Sequence, residues 1–325
     1  MPEELTQNHF IISREHHLQR IDVVVAQLLP DYSRSQISTW IKNGNILLND
    51  CPCKPKDKIC EGDKVLVNIP QQHAPNLSHY NPENIPLDIF FEDEQLLVLN
   101  KPAGLVVHPG AGNWEHTLAH ALVYHAPVLN NLPRAGIVHR LDKETTGLMV
   151  VAKTLVAQTA LVRQMQAREI ERHYITLVQG HVISGGIIET NFGRHPRNRL
   201  KMAVLNEGRE AITHYAVKKQ YHDFTLLDVK LMTGRTHQIR VHMAHIKHPV
   251  VGDPLYGGRP RFPGQASEQL RTLLQEFQRQ ALHACALSLH HPITDERLAF
   301  NAPLPQDFQI LVDSLDEHYE TIQMG

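Results

Sequence analysis

The tetrapeptide His139-Arg140-Leu141-Asp142 sets one acid between two apolar runs. Ile137 and Val138 precede it, Thr145-Thr146-Gly147 turns the chain, and Leu148 to Ala152 follows as a stretch rich in β-branched residues. The pattern predicts a strand–turn–strand junction with Arg140 and Asp142 at the turn. Such a junction is rigid, and a carboxylate there is costly to bury unless a cation pairs with it. In most proteins an isolated Arg-x-Asp near a turn is a structural ion pair or a capping aspartate. A lone buried carboxylate can also act as a nucleophile, or as the electrostatic partner of a developing oxocarbenium ion. Two cations downstream could pair with it equally well, Arg235 and Arg240, within Thr233-Gly234-Arg235-Thr236-His237-Gln238-Ile239-Arg240.

Other chemistries find less support. His237, His242, His245 and His248 lie close together, as do Cys51, Cys53 and Cys60. Neither group has His-Glu-x-x-His or paired Cys-x-x-Cys spacing, so no metal is expected. Gly110-Ala111-Gly112 lacks the rest of a dinucleotide fingerprint, Gly234-Arg235-Thr236 is no phosphate loop, and no Gly-x-Ser-x-Gly elbow occurs. No cofactor is expected.

The elements that must position these residues come from 325 residues, 42% hydrophobic and 20% charged. That length suits about two domains of ~100–200 residues each. No apolar run approaches the ~18 residues of a membrane span. The acidic start lacks an apolar signal core, and four cysteines are too few for a disulfide framework, so a reducing cytoplasm is expected. The net charge of −2 conceals an asymmetry: residues 190–245 hold ten Lys and Arg against four acids, and residues 307–320 hold five acids and no Lys or Arg. A basic stripe on a near-neutral chain can be a phosphate footprint, or merely a solvated sheet face.

Residues 18–75 read as a small separate unit. Ile21, Val24, Val25, Leu28 and Leu29 have helical spacing that stops at Pro30. Ser33 with Gln36 has the form of a capping box ahead of Ile37, Trp40 and Ile41, and Gly44 is placed to end that helix. Ile46–Leu48 and Val65–Ile69 read as short strands. Residues 76–84, within a stretch of Pro and Asn, read as a linker or as a strap along the larger domain. The main domain, 85–325, has strand candidates at Ile89–Phe91, Gln95–Leu99, Tyr174–Gln179, Ala211–Val217, Phe224–Met232 and Leu282–Leu289. Helices are expected at His116–His125 and from Thr154 to about Arg168, and residues 257–281 look like an insertion.

Asn100-Lys101-Pro102-Ala103-Gly104-Leu105-Val106-Val107-His108-Pro109, then the His139–Asp142 block, then Leu231 to His242, resemble in this order the RluA family of pseudouridine synthases. The likeness runs through nearly the whole chain. It implies an α+β fold with a mixed, mostly antiparallel sheet and flanking helices. In the small unit, Ser33-Arg34-Ser35, Lys42-x-Gly44, Asn49, Lys54-Pro55 and Gly62-Asp63 resemble the RNA-binding module first known from small-subunit ribosomal protein four. Asn49-Asp50 stands there in place of the usual Asn-Gly turn.

The resemblance implies isomerisation of uridine to pseudouridine, with Asp142 catalytic and Arg240 its ion-pair partner. Ile239 would pack behind the uracil, and Tyr174 would stack on it and is a candidate to remove the ring proton. Arg140 would occupy the space left by a flipped-out base. Arg194, His195, Arg199 and Lys201 would contact phosphates, with Arg34 and Lys42 doing so from the small unit. Lys101 and Pro102 would brace the active-site loop. Tyr174-Ile175-Thr176 departs from the family's Tyr-x-Ala. The implied partner is large-subunit (23S) ribosomal RNA, with no membrane and no cofactor, and we read the chain as a monomer. A transfer RNA or another ribosomal RNA site as substrate, a non-catalytic assembly factor and a nucleoside hydrolase are the alternatives.

Overall fold

The computed structural model describes residues 6–29, 34–69, 80–110, 112–198 and 200–324. The chain parts into two compact units between residues 78 and 79. The first contains β1 (Thr6–Ile11), α1 (Ile21–Leu28), α2 (Arg34–Lys42), β2 (Ile46–Leu48), β3 (Cys51–Pro52) and β4 (Lys64–Ile69). Its antiparallel sheet has the order β1-β4-β2-β3. The helical periodicity is used as expected: Ile21, Val24 and Val25 of α1 and Ile37, Trp40 and Ile41 of α2 are buried with Ile46, Val65 and Val67 of the sheet. Asn49 and Asp50 both adopt left-handed backbone, φ 50° and 61°, so the two-residue hairpin persists with aspartate in the usual glycine place. The capping box at Ser33, the stop at Pro30 and the stretch 71–79 lie outside the described residues.

The second unit follows as β5 (Asp88–Glu92), β6 (Leu96–Lys101), α3 (Leu118–His125), β7 (Thr146–Ala152), α4 (Leu155–Ala167), β8 (Glu171–Gln179), β9 (Gly186–Arg194), β10 (Met202–Leu205), β11 (Arg209–Gln220) and β12 (Phe224–Leu231). Then come α5 (Gln238–His245), α6 (Glu268–Glu276), β13 (Leu282–His290), β14 (Arg297–Asn301) and α7 (Gln306–Met324). One sheet of ten strands runs β10-β9-β11-β12-β8-β13-β7-β6-β5, with β14 paired to β13. Its pairs are antiparallel apart from β13 with β7, so the fold is α+β with a mixed, mostly antiparallel sheet. Thr154 caps α4 by accepting the Ala157 N–H at 3.1 Å. Tyr80 is buried against the edge of the His120 ring and Glu83 N–H bonds the His120 carbonyl, so residues 80–84 form a strap rather than a free linker. Residues 257–281 are no peripheral insertion either, since Leu270 and Leu274 of α6 belong to the main core.

The expected strand ahead of His139 does not form. Pro133–Gly136 makes a tight helical turn in which Arg134 and Ala135 are left-handed, and Gly136 runs so close to β7 that a Cβ would lie 1.9 Å from the Ala152 carbonyl oxygen. Ile137 then makes a single bridge to Val151, and the His139 ring accepts the Val150 N–H through Nε2 at 3.1 Å. β13 pairs with β7 only at Thr146 and Gly147, so the rest of that edge needs other partners, and this loop supplies them.

The β7–β13 junction is tight. Gly147 has φ 120°, and a Cβ on it would meet the Ala284 carbonyl oxygen at 2.3 Å. Gly147→Ala should therefore destabilise the unit by about 3 kcal/mol, read as a lower midpoint of denaturant unfolding. Beside it, the buried His283 pairs through Nδ1 with Thr146 Oγ1 at 2.8 Å, and burial lowers its pKa to about 4 in spite of the Ala302 carbonyl. Between that value and the unfolded value of ~6.5, the unfolded chain binds a proton that the folded chain refuses. Stability from this group is whole above ~6.5 and falls by about 1.4 kcal/mol per unit as pH drops toward 4. Unfolding of His283→Gln measured across that window should show a shallower pH slope, by one proton.

Candidate active site

Asp142 leaves the sheet on a loop that several groups hold in place. The buried Lys101 ammonium at the end of β6 donates to the carbonyls of Pro102, Leu105 and Lys143, at 2.6, 3.0 and 2.9 Å. Burial draws its pKa down to about 7, against the pull of Glu144 and Asp142. The loop is closed by Thr145 N–H to the Asp142 carbonyl, and Gln280 donates to Thr145 Oγ1 at 2.9 Å.

The opposite wall is the start of α5. Gln238 pins it: its Oε1 accepts from Thr233 Oγ1 and from Arg235 N–H, and its Nε2 donates to the Ile212 carbonyl and to Thr213 Oγ1 on β11. Two residues on, Arg240 is thereby aimed at the loop. Its Nη1 donates to Asp142 Oδ2 at 2.9 Å, while Nε and Nη2 grip Asp253 at 2.6 and 2.9 Å. Asp253 also accepts the N–H groups of Leu255 and Tyr256, and the Tyr256 ring covers the guanidinium with 5.2 Å from Cζ to its centroid. The Arg240 side chain is 5% exposed and that of Asp142 16%. Burial opposes the charge on Arg240, but Asp253 and Asp142 outweigh it and hold the guanidinium pKa above its ordinary value. Two carboxylates on one cation leave the triad with a net negative charge, displayed on the more exposed Asp142.

Arg140, Asp142, Tyr174, Ile239 and Arg240 line one cleft, together with His237. Tyr174 projects from β8 and is 4% exposed; burial raises its phenol pKa, with Asp142 adding to the rise and Arg172 opposing it. Arg140 is exposed at the rim. Arg235 also lines the cleft, but its Nε goes to the Glu210 carbonyl, so of the two candidate cations it is Arg240 that meets Asp142.

The other expected contacts lie elsewhere. Arg194 ends β9 and is exposed. His195 Nδ1 accepts the N–H groups of Arg197 and Asn198, which organises the β9–β10 turn. Lys201 stands over Tyr256, with Nζ 5.6 Å from the ring centroid. Arg199 is outside the described residues. In the first unit, Arg34 is half-exposed and tied to the buried Asp22, which Arg20 also holds, while Lys42 is exposed at the end of α2. Sequence reasoning missed Asp253 and Tyr256. The available signal was the Gly252-Asp253-Pro254 turn after the apolar Val250-Val251.

Residues 95–245 match the family model for RNA pseudouridylate synthase, and residues 19–65 match the S4 domain. Ribosomal large subunit pseudouridine synthase D of Xanthomonas campestris pv. campestris is 50% identical over 299 residues, covering 92% of this chain and 89% of that one. The chain belongs to the pseudouridine synthase family. A second synthase of the same name, from Escherichia coli O6:H1, is 50% identical over 303 residues, 93% of this chain and 92% of its own. Among solved structures, human RNA pseudouridylate synthase domain containing 4 aligns with a TM-score of 0.55 and 26% identity, over 70% of this chain and 93% of that one. Like its relatives this synthase is an isomerase. Among its described residues no helix is long and apolar enough to cross a membrane, and no three His, Cys, Asp or Glu side chains are grouped to hold a metal ion.

Removing the cation tests the pairing in the synthase. Arg240→Ala leaves Asp253 buried and Asp142 without its partner, and should cost about 3–5 kcal/mol of unfolding free energy. Thermal melting of the purified variant against wild type checks this.

Proposed function

We propose that the protein converts uridine to pseudouridine in large-subunit ribosomal RNA, with Asp142 as its catalytic group. The observation that carries this reading is the Asp142–Arg240 ion pair at the wall of a cleft, in a chain half identical to large subunit pseudouridine synthase D enzymes. The reaction breaks the bond from the anomeric carbon to N1, joins that carbon to C5, moves a proton from C5, and leaves N1 protonated. Atoms and electrons balance within the nucleotide, so an isolated carboxylate is adequate machinery.

Each side chain takes a role that its setting permits. Asp142, paired with Arg240, either attacks the sugar or ring, or stabilises the cation that forms as the base departs. A uridine within folded RNA must leave its stack to reach the cleft, and Arg140 at the rim fills the space it vacates. Ile239 and the Tyr174 ring hold the uracil between them. The Tyr174 oxygen is the candidate to take the C5 proton after rearrangement. Arg194, Arg199 and Lys201 contact backbone phosphates. Residues 18–75 act as an RNA-binding domain through Lys42 and the outer edge of Arg34, 76–84 as a connection, and 85–325 as the catalytic domain. The protein works as a monomer in the cytoplasm.

Carbodiimide-blocked primer extension across protein-free large-subunit ribosomal RNA tests the reading and maps the sites. Wild type should create stops with no added cofactor. Asp142→Asn should create none while binding the RNA as tightly as wild type in a gel-shift titration. Stops in transfer RNA alone would reassign the substrate, and release of free uracil would make the protein a hydrolase.

A further inference from the structure

The cleft holds an acceptor and a donor that make no hydrogen bond with the other described residues. Arg240 takes Oδ2 of Asp142, and the second oxygen, Oδ1, faces His237 Nε2 at 3.9 Å. That separation is too long for a hydrogen bond between the two. His237 is fixed from its far side. Its Nδ1 is 2.9 Å from the Tyr256 hydroxyl, which itself accepts the Met202 N–H at 2.8 Å. With Met202 on one lone pair, a phenol hydrogen directed at Nδ1 would leave the imidazole its own hydrogen on Nε2, toward Asp142. Burial lowers the His237 pKa, ahead of the upward pull of Asp142, so the ring is neutral. The residue also sits in left-handed backbone, φ 60° and ψ 18°, a conformation that costs a residue with a Cβ and that gathers at functional sites.

A donor and an acceptor at that spacing make a two-point site for a group that is both. A hydroxyl oxygen about 2.8 Å from each would close the triangle at an angle of about 90°. RNA carries one such group on the carbon next to the reacting anomeric carbon, the ribose 2′-hydroxyl, which is both donor and acceptor. We propose that His237 Nε2–H and Asp142 Oδ1 together bind the 2′-hydroxyl of the target uridine, so that His237 orients the sugar and selects RNA over DNA at the reacting nucleotide. This rests on Asp142 being the catalytic group.

The test is a cycle with two enzymes and two substrates. Large-subunit ribosomal RNA is assembled by splinted ligation with either uridine or 2′-deoxyuridine at one mapped site, and single-turnover rates of pseudouridine formation are measured. The cycle cancels any intrinsic effect of the missing hydroxyl on the glycosidic bond. The wild-type preference for uridine should shrink on the order of tenfold in His237→Ala, almost all through slower reaction of the ribose substrate. His237→Gln, whose amide restores a donor, should regain part of it, and it carries the test if the alanine variant melts early. A preference unchanged within about twofold in a folded variant, or no preference in wild type, overturns the proposal. The same assay on Asp142→Asn separates the two readings: activity there removes the catalytic role of Asp142 itself, whereas additive losses at His237 remove only the sugar contact.

Discussion

The site depends on one guanidinium serving two carboxylates. Arg240 reaches Asp142 98 positions back along the chain and Asp253 13 positions on. A single buried acid–base pair would nearly neutralise itself. Here Asp253 engages the guanidinium at two nitrogens, and its own second claim on the backbone N–H groups of Leu255 and Tyr256 fixes it in place. Asp142 receives only one hydrogen bond from the cation, and is the less buried of the two acids. The arrangement anchors the guanidinium on Asp253 and leaves Asp142 with one of its two carboxylate oxygens outside the pair.

The rest of the catalytic unit serves that geometry. Lys101 ties the loop after Asp142 to the end of β6, and Gln238 ties the head of α5 to β11. Each uses a polar side chain, buried or nearly so, with Lys101 donating to three main-chain carbonyls and Gln238 to one carbonyl and the Thr213 hydroxyl, which fixes position more tightly than apolar packing does. His139 belongs to the same group: it stands in for a missing strand partner on β7 and so places the residues that follow it.

Much of this was legible before any coordinates. The motif blocks carried Asp142 and Arg240 by resemblance, a separate match at Tyr174-Ile175-Thr176 carried the tyrosine, and residue spacing marked the Thr154 cap, the two helices of the small unit and most central strands. What escaped had physical reasons. Ile137 and Val138 look like a strand because they are apolar and β-branched, yet the left-handed turn at Arg134 and Ala135 leaves room for a single bridge. β9 alternates in burial, but with Ile187, Glu189, Asn191 and Arg194 at its exposed positions and glycine at two others, its apolar residues do not keep to one face and it carries a weak signal. Asp253, between glycine and proline, has the composition of a surface turn, and only a partner distant in sequence reveals it as buried. Residues 80–84 look like a linker by composition, and a single buried tyrosine makes them a strap.

The order of strands has a consequence for how the enzyme comes into being. β7, which carries the Asp142 loop, and β8, which carries Tyr174, are separated in the sheet by β13, made only at residues 282–290. A chain emerging in order therefore holds the two halves of its sheet without the strand that joins them until residues 282–290 have been made. A chain cut short before β13 lacks the strand through which the Asp142 loop and Tyr174 are set at a fixed distance from one another.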